Sequence, residues 1–468
     1  MFKRILIANR GEIALRVLRC CRAMGIEAVV AYSTADAQSL PVQLADEAVC
    51  IGPAPSRDSY LNQAAIVEAA KQTGCEAVHP GYGFLSENAD FAQLCADNGL
   101  EFIGPSADLI RKMGDKEAAR ELMKKNHVPI VPGSDSMVKD ARQAKEIADK
   151  IGYPVLVKAS AGGGGRGMRT AWSSEGIEEA FEEARAEALS AFGDGSLYLE
   201  KRILDPHHIE VQILGDKEGH IVHLGERDCS MQRRNQKILE EAPASILSDK
   251  LRKKITQAAV KAAKAAGYYS AGTVEFVLDK NGQFYFIEMN TRVQVEHPVT
   301  EEVTGIDIVR EQVRIAAGLP LTFKQDDVKI SGHAIECRIN AESPWKNFAP
   351  CPGKVENLHL PDGIGVRTET ALYEGCEISP FYDSLAAKLI VHARGRLDAI
   401  RRLRAALEEF IIDGVDTNIE FQFLLTFHPD FVRGRYTTSF LEKNTKDILG
   451  WDLESRKSVK QEEQAQHG

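Results

Sequence analysis

The sequence predicts an α/β and α+β chain, with a parallel α/β domain at its N-terminus and mixed α+β modules after it. Three observations carry this. Over roughly the first hundred residues, short apolar runs alternate with amphipathic helical patterns. Near residue 129 the texture changes to strand, glycine loop, strand and helix. Beyond residue 251, helical patterns mix with antiparallel strand patterns.

In the first module, residues 5–8, 28–32, 48–51, 77–79 and 102–103 read as buried strands. Residues 12–24, 61–73 and 88–98 read as the helices between them. The first strand runs into Asn9-Arg10-Gly11-Glu12 and lacks G-x-G-x-x-G, which argues against a nicotinamide dinucleotide site. In the second module a strand at 153–158 leads into a glycine loop and then a helix over 175–191, with strands at 197–201, 208–214 and 220–227. A loop that joins two strands in this way is suited to close as a lid. No internal repeat is present.

The chain has 468 residues, 44% of them hydrophobic, enough for two to four packed domains. Its net charge of -10 argues against a nucleic-acid partner, because counterion-release binding wants a basic surface. The nine cysteines (Cys20, Cys21, Cys50, Cys75, Cys95, Cys229, Cys337, Cys351 and Cys376) are odd in number and form no C-x-x-C pair. They read as buried thiols of a reducing compartment rather than a disulfide framework or zinc site. The basic start is followed at once by Arg10 and Glu12, which leaves no signal-peptide core. No run approaches the ~20 apolar residues of a spanning helix. The expected location is therefore cytoplasmic, without membrane attachment. The hydrophilic tail, 446–468, Lys/Glu/Gln-rich from Ser455 onward, is expected to be disordered.

Three stretches carry chemistry. The loop Ser160-Ala161-Gly162-Gly163-Gly164-Gly165-Arg166-Gly167-Met168 follows Lys158 directly. Glycines let backbone N–H groups close on an anion, so the loop is suited to wrap phosphates; the bland alternative is a linker. It is no Walker A loop, since no Gly-Lys-Ser/Thr follows. Second, Asn281-Gly282 predicts a two-residue type I′ turn with Lys280 facing Gln283, which sets Glu275 opposite Glu288. Opposed carboxylates destabilise a sheet unless a cation such as Mg²⁺ lies between them. A bulge would shift that register by one, and a solvent-exposed pair is the alternative. Third, Asn290, Arg292, Gln294 and Glu296 alternate after Glu288. In an extended chain they share one face, over ~26 Å from Glu288 to Glu296. An edge strand with its polar face in water is the competing reading.

The runs Ile7-Ala8-Asn9-Arg10-Gly11-Glu12-Ile13-Ala14, His79-Pro80-Gly81-Tyr82-Gly83-Phe84-Leu85-Ser86-Glu87-Asn88 and Glu288-Met289-Asn290-Thr291-Arg292-Val293-Gln294-Val295-Glu296-His297-Pro298-Val299-Thr300-Glu301 resemble signatures of the biotin carboxylase family. The resemblance covers roughly residues 1–443. It implies an N-terminal α/β (pre-ATP-grasp) domain over 1–113, an ATP-grasp region over 114–330 with a lid at about 130–203, and a C-terminal mixed α+β domain over 331–445. It further implies that Lys116, Lys158, Gly164, Gly165, Glu200, Lys201, Arg202, Ile203, His208 and Asn235 serve ATP, with Glu275 and Glu288. Mg²⁺ or Mn²⁺, as two ions, would be held by Glu275, Glu288 and Asn290. Lys237, Arg292, Gln294, Val295 (through its backbone) and Glu296 would surround bicarbonate, and Tyr82 and Arg338 would meet biotin. Arg292, Glu296, Arg338 and Lys237 are the catalytic set. Asn235 departs from the family pattern, which often has histidine there.

The activity so implied is ATP-dependent carboxylation of biotin by bicarbonate, via carboxyphosphate, with Glu296 as base. The expected partners are a separate biotin carboxyl carrier protein, carboxyltransferase subunits and a second copy of the chain. Acetyl-CoA carboxylase is the expected complex, with pyruvate or propionyl-CoA carboxylase as alternatives. None of the eight methionines forms Met-Lys-Met, and no room for a carrier domain is seen beyond Lys443, so the chain itself is not expected to carry biotin. Two other functions compete: a different ATP-grasp ligase, and a nucleotide-binding regulatory protein without catalysis.

Overall fold

The computed structural model describes residues 1–134, 136–159 and 167–451. They fall into two compact units. The larger holds Met1–Val128, His207–Phe276 and the described residues from Glu288 onward; the smaller holds the described residues of Pro129–Pro206 with Val277–Ile287.

The larger unit opens with a five-stranded parallel sheet ordered Glu47–Gly52, Glu27–Ser33, Arg4–Ile7, Ala77–His79, Glu101–Phe102. This is the expected parallel sheet, and helices Gly11–Ala23, Gln63–Gln72 and Ala89–Asp97 match the amphipathic patterns within two residues at each end. The strand order reverses beside Arg4–Ile7, between that strand and Ala77–His79, the switch point at which such sheets commonly bind ligands. Asn9 ties together the loops that leave those two strands by donating to the carbonyls of Pro80 and Tyr82, at 2.7 Å each. Gly81 has φ +62° there, and a Cβ would meet the Asn9 amide at 2.9 Å, so glycine is required twice over.

The second sheet has eight strands, ordered Phe284–Asn290, Ser270–Leu278, His207–Gly215, Ile221–Arg233, Gln236–Ala242, His333–Asn340, Leu385–Ala393, Val366–Thr370. One face of its last strands is apolar: Leu239, Ile335, Cys337, Ile339, Leu389 and Val391 pack with Ile400, Leu403 and Leu407 of the helix Arg396–Glu409. On the opposite face the helix His297–Thr304 lays Val299 and Val303 over Ala242, Ala334 and Ile390. All nine cysteines are unpaired. Six are buried, whereas Cys50 is exposed and Cys351 and Cys376 are half-buried, short of the fully buried set the composition suggested.

The smaller unit is a three-stranded antiparallel sheet, Met168–Ala171, Val155–Ala159, Leu197–Lys201. Helices Ala141–Ile151 and Ile177–Phe192 cover it through Ala144, Ala148, Phe181 and Ala184. Most of the glycine loop expected to wrap phosphates, Gly164 and Gly165 included, lies outside the described residues, as does the tail beyond Trp451; the start of the expected disordered tail, residues 446–451, is instead helical, because Ile448 is buried in the core.

Candidate active site

A β-bulge builds the floor of the site. Between Ile221–Arg233 and Gln236–Ala242 the register steps from Met231↔Leu239 to Gln232↔Lys237, which leaves Ile238 as the extra residue. Ile238 and Leu239 both enter the apolar core, and Lys237 is turned to the face that carries Glu240. Glu336 and Arg338 occupy that face of the next strand, and Lys388 faces Arg338 from the one after. Two acids and three cations thus line one side of a sheet whose other side is hydrocarbon.

Glu296 arrives from above, as the residue before the helix His297–Thr304. It is fully buried and pairs with Lys237 at 2.5 Å and Arg338 at 3.0 Å. Burial alone would raise its proton affinity, but Lys237, Arg338 and Arg227 outweigh this and hold the carboxyl well below the usual carboxylate range. Burial likewise works against the Lys237 ammonium, yet the anions around it, Glu210, Glu275 and Glu296 among them, carry it well above the ordinary lysine value. Lys237 also reaches Glu210 at 2.6 Å and Glu275 at 3.5 Å.

The extended strand expected from Glu288 to Glu296 does not form. The strand Phe284–Asn290 ends at Asn290, and the chain turns, the His297 amide donating to the Gln294 carbonyl, so that a helix starts at His297. Pro298 in the first turn suits that start. The turn brings together what an extended chain would have strung out. Arg292 donates to Gln294 at 3.1 Å and to Asn290 at 3.3 Å, and Asn290 and Gln294 donate to Glu275 at 2.6 and 3.4 Å. His208 meets the other Glu275 oxygen at 2.8 Å. Against the pull of burial, Lys237 and His208 keep the Glu275 carboxyl below its ordinary range.

Several residues here escaped the sequence reading. Glu87, at the end of the second motif run, pairs with Arg292 at 2.9 Å and accepts from the Thr291 amide. Lys388, fully buried, donates to the Val295 carbonyl at 2.9 Å and pairs with Glu12 at 3.1 Å; Glu12 in turn accepts from the Tyr82 hydroxyl. Arg227, with no exposed surface, donates to Glu210, Gln212, Thr273 and Thr300. A polar residue inside a strand looks the same in sequence whether it faces water or a buried site, so Arg227, Glu210 and Lys388 gave no signal.

The hairpin that carries the metal candidates also differs from expectation. Its closing pair is Asp279–Gln283 around a three-residue loop with Gly282 at φ +77°, not a two-residue type I′ turn. Asp279 prefers this form because its carboxylate accepts from the amides of Asn281 and Gln283. The longer loop does not part the two acids from each other: Asn290, two residues beyond Glu288 on the same strand, donates to Glu275 at 2.6 Å. Glu275 and Glu288 also meet electrostatically: burial, and then the Glu275 charge, raise the proton affinity of the Glu288 carboxyl, while Lys116 at 3.8 Å opposes this. Two acids that disfavour each other's ionisation beside the Asn290 amide fit a divalent cation, which relieves that repulsion. His208, Glu210 and Glu275 offer a second group of ligand atoms, all within 4.8 Å of one another.

Asn235 sits exposed at the tip of a hairpin, where Arg234 and Asn235 take φ +50° and +64° and Arg233 pairs with Gln236. Both central residues are left-handed, the type I′ geometry that asparagine tolerates best among side-chain-bearing residues. In the smaller unit, Lys158 pairs with Glu200 across neighbouring strands. Lys201 donates to the carbonyls of Gly152 and Tyr153, and Arg202 donates to Thr170 and lies 4.9 Å from the Trp172 ring centre.

Three family descriptions match the chain in order: "Biotin carboxylase, N-terminal domain" over residues 1–110, "Carbamoyl-phosphate synthase L chain, ATP binding domain" over 115–324, and "Biotin carboxylase C-terminal domain" over 336–443. Biotin carboxylase 1 of Bacillus subtilis is 54% identical over 451 residues, 96% of this chain and all of that one. A pyruvate carboxylase subunit of Methanothermobacter thermautotrophicus is 51% identical, over 99% of this chain and 94% of its own. Among solved structures, the biotin carboxylase domain dimer of 2-oxoglutarate carboxylase from Hydrogenobacter thermophilus, a complex with MgADP, ADP and bicarbonate, superposes with a TM-score of 0.88 at 52% identity. It covers 96% of this chain and 99% of that one.

Proposed function

The chain belongs to the biotin carboxylase family, ATP-dependent ligases, and on that footing we propose that it carboxylates biotin on a separate carrier protein, using ATP and bicarbonate. The single observation that carries this reading is the buried junction at Glu296: one carboxylate between Lys237 and Arg338, reached by a turn in which Arg292 and Gln294 are hydrogen-bonded to each other. A small anion fits such a site, and a base sits in it.

In this proposal bicarbonate displaces the internal partners, and Arg292, Lys237, Gln294 and the Val295 backbone take up its oxygens. Glu296, released from part of its cationic cage, accepts the bicarbonate proton as the oxygen attacks the γ-phosphate. Mg²⁺ would be held by Glu275, Glu288 and Asn290, and when bound it screens charge on the transferring phosphoryl group; Mn²⁺ would serve the same ligands. Lys116 and His208, with Lys158, Glu200, Lys201, Arg202 and Ile203 of the smaller unit, and Asn235, are proposed for the nucleotide. Carboxyphosphate then gives CO₂ and phosphate, the phosphate takes the N1′ proton of biotin, N1′ bonds to the carbon of CO₂ to give carboxybiotin, and Arg338 stabilises the ureido oxygen on the way, with Tyr82 beside it.

The relatives bear the names of pyruvate and 2-oxoglutarate carboxylases as well as biotin carboxylase. The first half-reaction is common to them, and acetyl-CoA is our proposed final acceptor, through a carboxyltransferase partner. A homodimer and a cytoplasmic setting complete the proposal; among the described residues no helix is long and apolar enough to cross a membrane. The test is ADP release measured with each component left out. Release that requires both bicarbonate and biotin supports the reading. Release driven by an amine and a carboxylate acceptor, with biotin irrelevant, would make the chain a different ligase.

A further inference from the structure

The sheet face that carries Arg338 also carries a pair of acids that carboxylation leaves unused. Glu240 and Glu336 are directly opposed partners of adjacent antiparallel strands, so their Cβ atoms stand about 5 Å apart on one face. Both are fully buried. Glu240 accepts from Arg338 at 2.6 Å through Oε1. Its Oε2 and both oxygens of Glu336 meet no hydrogen-bond donor among the described residues.

The charges facing the pair come from every element around it: Lys237 from the strand of Glu240, Arg338 from the strand of Glu336, Lys388 from the next strand, and Glu296 from the helix above. Each cation is already engaged. Lys237 serves Glu210 and Glu296, Lys388 serves Glu12 and the Val295 carbonyl, and Arg338 is divided between Glu240 and Glu296. Among the described residues no ion pair reaches Glu336. Two ionised carboxylates opposed in a dry sheet repel, whereas one proton between them ends the repulsion and supplies a donor to an orphaned oxygen.

We propose that Glu240 and Glu336 hold one proton between them, the Glu336 O–H donating to the Glu240 carboxylate, and that this pair positions Arg338 without neutralising it. Burial pushes Glu240 up to about 7, Arg338 opposing and Glu296 adding to the rise. Burial also pushes Glu336 well above the carboxylate range, with Lys388 opposing and the Glu240 charge adding to the rise. With both acids ionised, three anions would compete for one guanidinium and fasten it to the protein. With the proton in place, Glu240 is a single, shared anchor, and the arginine can turn to a substrate oxygen. Only this last consequence rests on the carboxylation reading; the shared proton stands without it.

The test is infrared spectroscopy of the full protein at neutral pH without substrate, where a protonated carboxylic acid gives a carbonyl stretch resolved from ionised carboxylates. The parent should show that band, heavy-carbon labelling of glutamate carboxyls should shift it, and Glu336→Gln should remove it. Glutamine is the neutral isostere of the protonated acid, so kcat in Glu336→Gln should stay within about threefold of the parent, the net worth of one hydrogen bond. Glu240→Gln, which removes the anchor of Arg338, should lower kcat by about tenfold or more while leaving the KM for ATP in place. Other buried carboxyls, Glu288 among them, also have raised proton affinity. The band is therefore assigned by the difference between labelled parent and labelled Glu336→Gln, and circular dichroism of the variant separates a folding failure from a true loss of the band. Absence of a shifting band in the parent, its survival in Glu336→Gln, or a kcat loss in Glu336→Gln as deep as in Glu240→Gln would each overturn the proposal.

Discussion

Lys237 and Glu296 lie 2.5 Å apart with Glu296 fully buried, so the carboxylate proposed as base is stored in the ionised form against an ammonium. Glu296→Gln keeps the shape and removes the base. Turnover dependent on bicarbonate should fall by roughly 10²-fold or more, the usual scale for a lost general base, while nucleotide binding stays near normal. Steady-state kinetics beside nucleotide titration checks this, and parental turnover in the variant would take Glu296 out of the chemistry.

Metal dependence tests the pairing of Glu275 with Glu288. Glu288→Gln removes one anionic ligand and the repulsion that Glu275 imposes. The magnesium concentration for half-maximal activity should rise. An unchanged magnesium curve would show that the two acids do not share an ion.

Buried Lys388 joins the Val295 carbonyl to Glu12. Lys388→Met strands Glu12 in the interior and should destabilise the fold by about 3–5 kcal/mol, as broken buried pairs do. The double variant Lys388→Met/Glu12→Gln should recover much of that loss in urea unfolding. A double variant as unstable as the single would assign the cost to packing instead.

Glu241 gives an acid-stability prediction with a definite sign. Burial would raise it, but His333 and Arg396, at 2.8 and 2.6 Å, bring its carboxyl from an ordinary 4.5 down to about 2. A folded-state pKa below the unfolded one adds stability above pH 4.5, and the contribution is lost as pH falls through about 2. The stability gap between the parent and Glu241→Gln, read from urea midpoints, should therefore be wide at neutral pH and should shrink toward pH 2. An equal gap at both would assign the loss to shape rather than charge.

The parallel sheet was legible because a fully buried strand is a continuous apolar run and its helices carry a 3.6-residue period, both of which survive in a single sequence. The geometry after Asn290 was not. Alternating polar residues read as a strand, yet Asn290 and Gln294 meet at Glu275, Arg292 bonds both of them, and Glu296 reaches Lys237, because the chain turns into a helix at His297. Period-2 polarity cannot distinguish these outcomes, since the deciding contacts with Glu87 and Lys237 lie far away in sequence. The turn at Asn281-Gly282 differs for a local reason: Asp279 caps a three-residue loop with its own carboxylate. The bulge at Ile238, which aims Lys237, leaves no mark in composition at all.

The central claim is that ATP activates bicarbonate at the Glu296 junction. Bicarbonate labelled with heavy oxygen, supplied with ATP, Mg²⁺ and biotinylated carrier, tests it through the isotopic mass of the phosphate released. Attack of a bicarbonate oxygen on the γ-phosphate predicts one labelled oxygen in each phosphate. Phosphate free of label, formed at the same rate as carboxybiotin, would contradict the account.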